Sequence, residues 1–220
     1  HALDLTTGNE LWNMALHSRD AALTATGDRV FIQDSPGRLS CLSLDGSVLW
    51  TSEVGLFKHG PDASTSLLVL AVETPPRLVT IDAPSGQTLW TCPLPRPAAT
   101  PPAVRGRKIY FADGAGIQVR WLIDGSDLGQ IQGDVSGPLY VAPDRYAYVS
   151  LGGELVLGDR ARGTILARLP GAVPGTNPVV AFNGVLFCAP SAMMAADLQG
   201  GEVRPWSQLG PGLITGEALM

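Results

Sequence analysis

Short runs of hydrophobic residues, separated by glycine-containing turns, recur along the whole chain. Two of them, Lys108–Ala112 and Ile117–Ile123, flank the polar turn Asp113–Gly116. Runs of about four to eight β-favouring residues between Asp-Gly, Asn-Gly or Gly-Gly signals are typical of β-hairpins. Helical periodicity does not extend beyond a turn or two anywhere. The pattern therefore predicts an all-β chain.

A second, longer pattern repeats over the hairpins. The opening segment 2–12 returns in segments 44–50 and 80–90, and each of these three ends in tryptophan. Aligned copies place glycines at intervals of 38, 40, 39, 38 and 38 residues, at Gly8, Gly46, Gly86, Gly125, Gly163 and Gly201. A constant period of roughly 40 residues indicates a repeat architecture.

Each position of the repeat has a predicted structural role. An aspartate ends the third strand of a copy and can bond the backbone of the following turn. The glycine supplies the positive φ of that turn, and a tryptophan on the fourth strand offers a large flat surface to the next copy. Besides the six glycines, the residues in these roles are Asp4, Asp82, Asp159 and Asp197, with Trp12, Trp50 and Trp90. Gly129, Ala167 and Pro205 replace the tryptophan in later copies, which predicts weaker packing there.

A series of four-stranded antiparallel units predicts a β-propeller, because stacked sandwiches would need longer connections than these short turns. Residues 1–220 are predicted to form a single propeller domain or the larger part of one. The chain begins within a third strand, contains five complete sets and ends on a predicted first strand at Gly212–Thr215. Either six blades close with one strand missing, or the chain belongs to a larger ring with blades upstream. The start in mid-blade favours the second arrangement.

The repeat also resembles a known family. Its complete form, Ala-x-Asp-x3-Gly-x3-Trp, occurs in segment 2–12, and segment 80–90 matches three of its four places. This pattern resembles the tryptophan-docking (PQQ-like) repeat of quinoprotein-like β-propellers. The resemblance implies a ring of about seven or eight blades. It also implies a family divided between dehydrogenases of alcohols or sugars and bacterial proteins that kept only the scaffold. The second group includes outer-membrane assembly lipoproteins and the sensor regions of some kinases, so a periplasmic or other extracytoplasmic location is implied by the resemblance only.

Composition narrows the classes of function. Apolar residues make up 45% of the chain and charged residues 16%, with 26 Gly and 18 Pro, which is typical of a folded, turn-dense protein. The net charge of −5 is spread without a basic patch, so nucleic-acid binding is not expected. No apolar run approaches the roughly 18 residues of a membrane-spanning helix. No secretory signal precedes the first strand, although the chain opens on His1 rather than Met, which leaves an upstream segment open.

No catalytic, cofactor or metal residue is predicted from the sequence. A PQQ-dependent enzyme of the resembling family would be expected to carry adjacent cysteines, whereas Cys41, Cys92 and Cys188 lie far apart. Their odd number implies no disulfide framework, and each is predicted to be a small buried residue, with one disulfide between blades left open. Calcium would take oxygen ligands from separate blades, which no local spacing reveals.

The histidines and the basic clusters have simple interpretations. The histidines are too scattered for a zinc site, and His59 is predicted to be solvated in a loop between blades. Basic residues cluster around two hairpins, with Arg160, Arg162 and Arg168 at one, and Arg105, Arg107 and Lys108 at the other. Solvated turns are the expected role, with contact to an anion or an acidic peptide as the alternative.

The function favoured by the sequence is a non-enzymatic interaction or sensor scaffold within a larger protein, without a cofactor. Its partners would be other proteins or other domains of the same protein. One alternative is a fragment of a PQQ-dependent dehydrogenase, with PQQ in the central channel and Ca²⁺ beside it. Another is the ligand-sensing domain of a receptor kinase.

Overall fold

A computed structural model describes residues 1–16, 22–35, 37–64, 66–176, 178–181, 184–189, 192–197 and 203–205. These residues form 22 β-strands and no helix. All pairings are antiparallel, and in every sheet the strands follow their order along the chain. Nothing helical in these ranges has the length and apolar character that a membrane crossing requires. The prediction of an all-β chain of four-stranded antiparallel sheets is confirmed.

The chain divides into two compact units. Unit 1 comprises His1–Pro102 and Leu122–Ser126, and unit 2 comprises Ala103–Trp121 and Asp127–Met220.

Unit 1 contains one two-stranded sheet and two four-stranded sheets. The strands are β1 (Ala2–Leu3) and β2 (Glu10–Trp12) in sheet 1; β3 (Leu23–Thr26), β4 (Arg29–Ser35), β5 (Arg38–Ser43) and β6 (Val48–Glu53) in sheet 2; and β7 (Asp62–Ala63), β8 (Leu67–Glu73), β9 (Pro76–Asp82) and β10 (Thr88–Pro93) in sheet 3.

Unit 2 contains three four-stranded sheets. The strands are β11 (Ala103–Arg105), β12 (Lys108–Ala112), β13 (Ile117–Trp121) and β14 (Asp127–Ile131) in sheet 4; β15 (Tyr140–Val141), β16 (Arg145–Val149), β17 (Glu154–Asp159) and β18 (Ile165–Pro170) in sheet 5; and β19 (Val179–Ala181), β20 (Gly184–Ala189), β21 (Ala192–Asp197) and β22 (Val203–Pro205) in sheet 6. β13 ends at Trp121, two residues before its predicted end. The predicted last strand, Gly212–Thr215, lies outside the described residues.

The position of a strand within its sheet determines its burial. The central strand β8 is a continuous apolar run, and five of its successive residues are buried. Strands that are covered on both faces have this composition. The outermost strands β6, β10 and β18 instead alternate between exposed and partly buried residues. Sheets 2, 3 and 5 thus each have a buried centre and, at the fourth strand, a solvated edge.

A bulge occurs at the same repeat position in β2, β6, β10, β14 and β18, each of which follows a repeat turn. The pairing register shifts there by one residue, so that one leucine has no partner across the ladder. These leucines are Leu11, Leu49, Leu89, Leu128 and Leu166, all exposed by between 37% and 62%. A bulge turns one side chain outward and re-aims the next. The residue that follows each leucine occupies the tryptophan position of the repeat.

Apolar cores fill the space between successive sheets within each unit. In unit 1, Phe31 and Leu39 of sheet 2 pack with Leu70 and Ile81 of sheet 3. In unit 2, one core joins sheets 4 and 5, and another joins sheet 5 to Met194 of sheet 6. Burial of these side chains is the main source of stability for each pair of sheets.

Two buried tyrosines in unit 2 occupy space that is created by missing side chains. Tyr146 and Tyr148 are fully buried, and their rings lie parallel at 6.3 Å. Tyr146 pairs across the ladder with Gly158, and a Cβ atom at Gly158 would lie 1.9 Å from the tyrosine Cζ. Tyr148 approaches Gly133 similarly, with its hydroxyl 2.7 Å from the place of a Cβ. Burial raises the pKa of the Tyr148 phenol to about 12.

We expect Gly158→Ala to destabilise the protein by about 3 kcal/mol or more, because the methyl group overlaps the ring of Tyr146 in a packed core. Gly152→Ala is the matched control, since the nearest atom to a Cβ there is 3.7 Å away. Its effect should be within about 0.5 kcal/mol. Urea denaturation followed by circular dichroism measures both, and equal midpoints for the two variants would contradict this account.

Candidate functional site

The repeated turn is built by its aspartate and its glycine. Oδ1 of Asp4 accepts hydrogen bonds from two backbone N–H groups, those of Thr6 and Thr7, at 2.8 Å each. These bonds hold the pKa of the Asp4 carboxyl below its ordinary value. The N–H of Gly8 donates to the Asp4 carbonyl at 2.8 Å. The same bonds form at Asp159, and the matching glycine bond forms at Asp82.

The repeat glycines adopt a conformation that L side chains rarely adopt. The φ angles of Gly8, Gly46, Gly86, Gly125 and Gly163 lie between +68° and +86°. In the sixth copy, Gly201 and the side chain of Asp197 lie outside the described residues.

In unit 1, each tryptophan of the repeat reaches the turn of the next copy. Trp12, Trp50 and Trp90, the docking tryptophans, are partly buried. Their indole N–H groups donate to the carbonyl oxygens of Leu44 at 2.7 Å, Ala83 at 2.9 Å and Leu122 at 3.1 Å, respectively. The polar edge of each ring therefore has a partner although most of the ring is covered.

The faces of the same rings lie against glycine. A Cβ atom at Gly46 would lie 2.7 Å from Cδ2 of Trp12, and one at Gly86 would lie 2.6 Å from Cδ2 of Trp50. Gly125 is covered by both Trp90 and Cys92 in the same way. Gly46, Gly86 and Gly125, the docking glycines, thus need positive φ and also leave no room for a side chain.

In unit 2, none of the described tryptophans occupies the corresponding place between sheets 4 and 5. Gly129 stands at the tryptophan position of β14, and a Cβ atom there would meet nothing within 4 Å. The turn that would receive the ring contains Gly163, which contacts only Ile131, at 3.3 Å from the place of its Cβ. A cleft of about 380 Å³ lies here, lined by both glycines. This volume falls within the range of ligand pockets, about 300–1,000 Å³.

The lining of this cleft is basic and partly aromatic. Lys108, Arg160 and Arg162 contribute to it together with Tyr110, and none of the described residues that line it is acidic. The Arg160 guanidinium lies over the Tyr110 ring, 6.0 Å from its centroid. The side chain of Arg162 is 79% exposed and makes a 3.6 Å ion pair with Asp159. Asp159 itself does not line the cleft.

The structure separates the members of the two predicted basic clusters. Lys108, Arg160 and Arg162 come together at the cleft, whereas Arg168 pairs with Glu154 at 2.8 Å. Arg105 donates to the carbonyl of Val141 at 2.6 Å. The cleft is not among the features predicted from the sequence, although two of its parts are visible there. Gly129 marks a lost tryptophan, and the arginines lie in the turn that would have received it.

Cysteines and histidines take simple positions. Cys41 and Cys92 are free thiols, and burial raises the pKa of the Cys41 thiol to about 11. The side chain of Cys188 lies outside the described residues. His59 lies in the loop between β6 and β7, as predicted, but it is partly buried rather than solvated. Among the described residues, no three His, Cys, Asp or Glu side chains lie close enough together to hold a metal ion.

Comparisons with known proteins identify the repeat. The family model described as outer membrane protein assembly factor BamB matches residues 1–57 and 38–219. Among solved structures, BamB from Moraxella catarrhalis is similar with a TM-score of 0.69, at 15% sequence identity over 82% of this chain and 62% of that one. The computationally designed protein Ika8 is similar with a TM-score of 0.74, at 17% identity over 90% of this chain and 64% of that one. No curated protein matches the sequence.

The structural similarities, at such low identity, bear on the fold alone. They confirm the predicted β-propeller fold class. The chain spans less than two thirds of the length of either solved structure.

We expect a strong energetic coupling between Trp50 and Gly86. Trp50→Ala should cost about 3 kcal/mol through lost packing. Gly86→Ala should cost about 1 kcal/mol for its φ and about 1–3 kcal/mol more for the overlap with the indole. Because the second part disappears when the indole is absent, the double variant should be less destabilised than the sum by about 1–2 kcal/mol.

Gly8 provides the matched control for this cycle. It has the same repeat position and a φ of +71°, but nothing lies within 4 Å of its Cβ position. Gly8→Ala should therefore cost only about 1 kcal/mol. Urea denaturation followed by circular dichroism measures all variants. Equal costs at Gly8 and Gly86, or an additive double variant, would contradict the indole-on-glycine contact.

His59 should make stability depend on pH. Its pKa lies below the ordinary value, chiefly because of burial and then because of Lys58, while Glu73 and a hydrogen bond to the Ala99 backbone oppose the shift. The unfolded chain then binds the proton more readily, so the free energy of unfolding falls as pH drops below about 6.5. Denaturation midpoints measured from about pH 7 to about pH 5 should fall less steeply in His59→Gln than in the wild type. If the midpoints of the wild type and of His59→Gln fell equally steeply with pH, other groups would be responsible for the pH dependence of stability.

Proposed function

The chain belongs to the outer membrane protein assembly factor BamB family of PQQ-like repeat β-propellers, and from this membership we propose that it is a non-enzymatic scaffold for protein interactions. The observation that carries the proposal is the extent of the family match, since its two matched segments together reach from residue 1 to residue 219. We propose further that the scaffold serves the assembly of outer membrane proteins, as the family's description says of its members.

The physical character of unit 1 supports a scaffold role. Three successive contacts between an indole and a glycine turn join copies through packing and a hydrogen bond. These contacts use the repeat residues for structure, and the solvated edge of each sheet is left to meet other molecules. Rigid frameworks with exposed loops and edges are common carriers of binding sites.

The exposed leucines of the fourth strands offer one such surface. Leu49 and Leu89 stand outward from the bulges of consecutive sheets, each about half exposed, at 50% and 53%. Apolar side chains that recur at a solvated edge are suited to contact with a partner protein.

The other two functions stay predictions from the resemblance. A PQQ-dependent dehydrogenase and a ligand-sensing domain of a receptor kinase share this repeat, and no specific contact among the described residues favours either.

Loss of the gene in its own organism tests the assembly role. We expect the outer membrane protein content of the membrane fraction, measured by quantitative mass spectrometry, to fall because a scaffold for assembly is missing. The wild-type gene and the Gly152→Ala variant should restore it, and the destabilised Gly158→Ala variant should not. Unchanged outer membrane proteins in the deletion strain would refute the assembly role.

Calorimetry separates the scaffold from the dehydrogenase. Titration of PQQ and Ca²⁺ into the folded protein should release no heat of binding. Micromolar or tighter binding would overturn the non-enzymatic proposal and favour an assay with alcohols and sugars.

A further inference from the structure

The cleft between sheets 4 and 5 is the place where the structural repeat leaves one of its own contacts unmade. In unit 1, the three docking tryptophans fill the equivalent places. In unit 2, the tryptophan position holds Gly129, while the receiving turn keeps its glycine, its positive φ and its aspartate bonds at Asp159. The receiving half of the contact is thus retained without the ring.

The hydrogen-bond acceptor of the contact is retained as well. Trp50 and Trp90 donate to Ala83 and Leu122, each three residues before the glycine of the receiving turn. The corresponding carbonyl in unit 2 is that of Arg160. In the described part of the chain no donor reaches this oxygen, so an indole that enters the cleft finds a partner for its N–H.

The cleft differs from the filled positions in its charge. Three basic side chains line it, in a protein of net charge −5. Within the described ranges, Arg162 is the one of the three that forms an ion pair within 4 Å, with Asp159. A ligand that carries negative charge beside its aromatic ring complements such a lining.

The cleft is continuous with an exposed strand. Leu128, Gly129, Gln130 and Ile131 of β14 line it, and β14 is the outer strand of sheet 4. Outer strands present backbone groups with which an extended chain can pair. A polypeptide can therefore continue along β14 beyond the aromatic side chain, which a free small molecule cannot do.

We propose that this cleft binds an aromatic side chain, best a tryptophan, carried by an acidic extended segment of a partner protein. The ring takes the place of the missing tryptophan against Gly163, and the acidic flanks meet Arg160, Arg162 and Lys108. This inference rests on the proposed scaffold function, because it names the surface and the chemistry of one partner.

A short acidic peptide with tryptophan at its centre is the probe, and the same peptide with alanine there is its control. Both are titrated into the ¹⁵N-labelled chain and followed by NMR. We expect the tryptophan peptide to shift the amide signals of Gly129 and Gly163. The alanine peptide should bind at least about tenfold more weakly, because the ring supplies most of the burial.

Charge reversal tests the basic lining. The double variant Arg160→Glu with Arg162→Glu should lower the affinity for the tryptophan peptide at least about tenfold. The double variant Arg96→Glu with Arg107→Glu makes the same change of net charge at exposed residues outside the cleft, and it should lower the affinity less than about threefold. Thermal midpoints close to the wild type verify that both are folded.

Three results would overturn the proposal. If the alanine peptide bound as tightly as the tryptophan peptide, the cleft would be a general site for anions. If the shifted NMR signals all came from residues away from the cleft, the peptide would bind elsewhere. Free N-acetyltryptophan, an indole with one negative charge, would overturn the role of the partner chain if it bound as tightly as the peptide.

The deletion experiment above gives an independent outcome, since it reports outer membrane protein content whichever surface binds. If the peptide does not bind but the deletion strain loses outer membrane proteins, only the proposal for this cleft is contradicted, and the assembly role stands.

Discussion

The contact between an indole ring and a bare glycine turn is the interaction on which unit 1 depends. It requires several local features at once. The aspartate shapes the turn, the glycine accepts a positive φ and offers no Cβ, and the bulge at the preceding leucine aims the ring. At Trp50 and Gly86, the ring face lies on the backbone while the indole N–H reaches the Ala83 carbonyl. Removal of any one feature leaves either an overlap or an unpaired polar group.

Unit 2 uses aromatic side chains differently. Tyr146 fills the space beside Gly158 within its own sheet, and Tyr148 reaches Gly133, so that the rings are buried where the glycines leave room. The places of the docking tryptophans are taken by Gly129 and Ala167. The loss of tryptophan in the later copies therefore did not remove aromatic packing from this part of the chain. The tyrosines contribute to the core that joins sheets 4 and 5, while the tryptophan position at Gly129 stays open.

The sequence predicts those features that depend on neighbouring residues. The turns at Asp4–Gly8 and Asp82–Gly86 and most strand limits follow from turn chemistry and alternation. The predicted strand Ile117–Ile123 is two residues longer than β13, because the turn that follows it begins with the apolar residue Leu122. The cleft could not be predicted in the same way, since it joins residues near 108, 129 and 160 that only the pairing register and the packing of successive sheets bring together. The partial burial of His59 is not predictable for the same reason, because it comes from residues distant in sequence, such as Glu73 and Ala99.

The indole contact also has a direction. The second and third copies each give a ring to the following copy and receive one on their own glycine, so that both halves of the contact are encoded in a single copy. Heterologous contacts of this kind can be extended without new chemistry. Duplication or loss of a whole copy preserves every remaining contact between an indole and a glycine turn, whereas an insertion within a copy disrupts two of these contacts. Such a chain is therefore expected to gain or lose whole repeats during evolution. The number of copies can vary while the contact between copies stays the same.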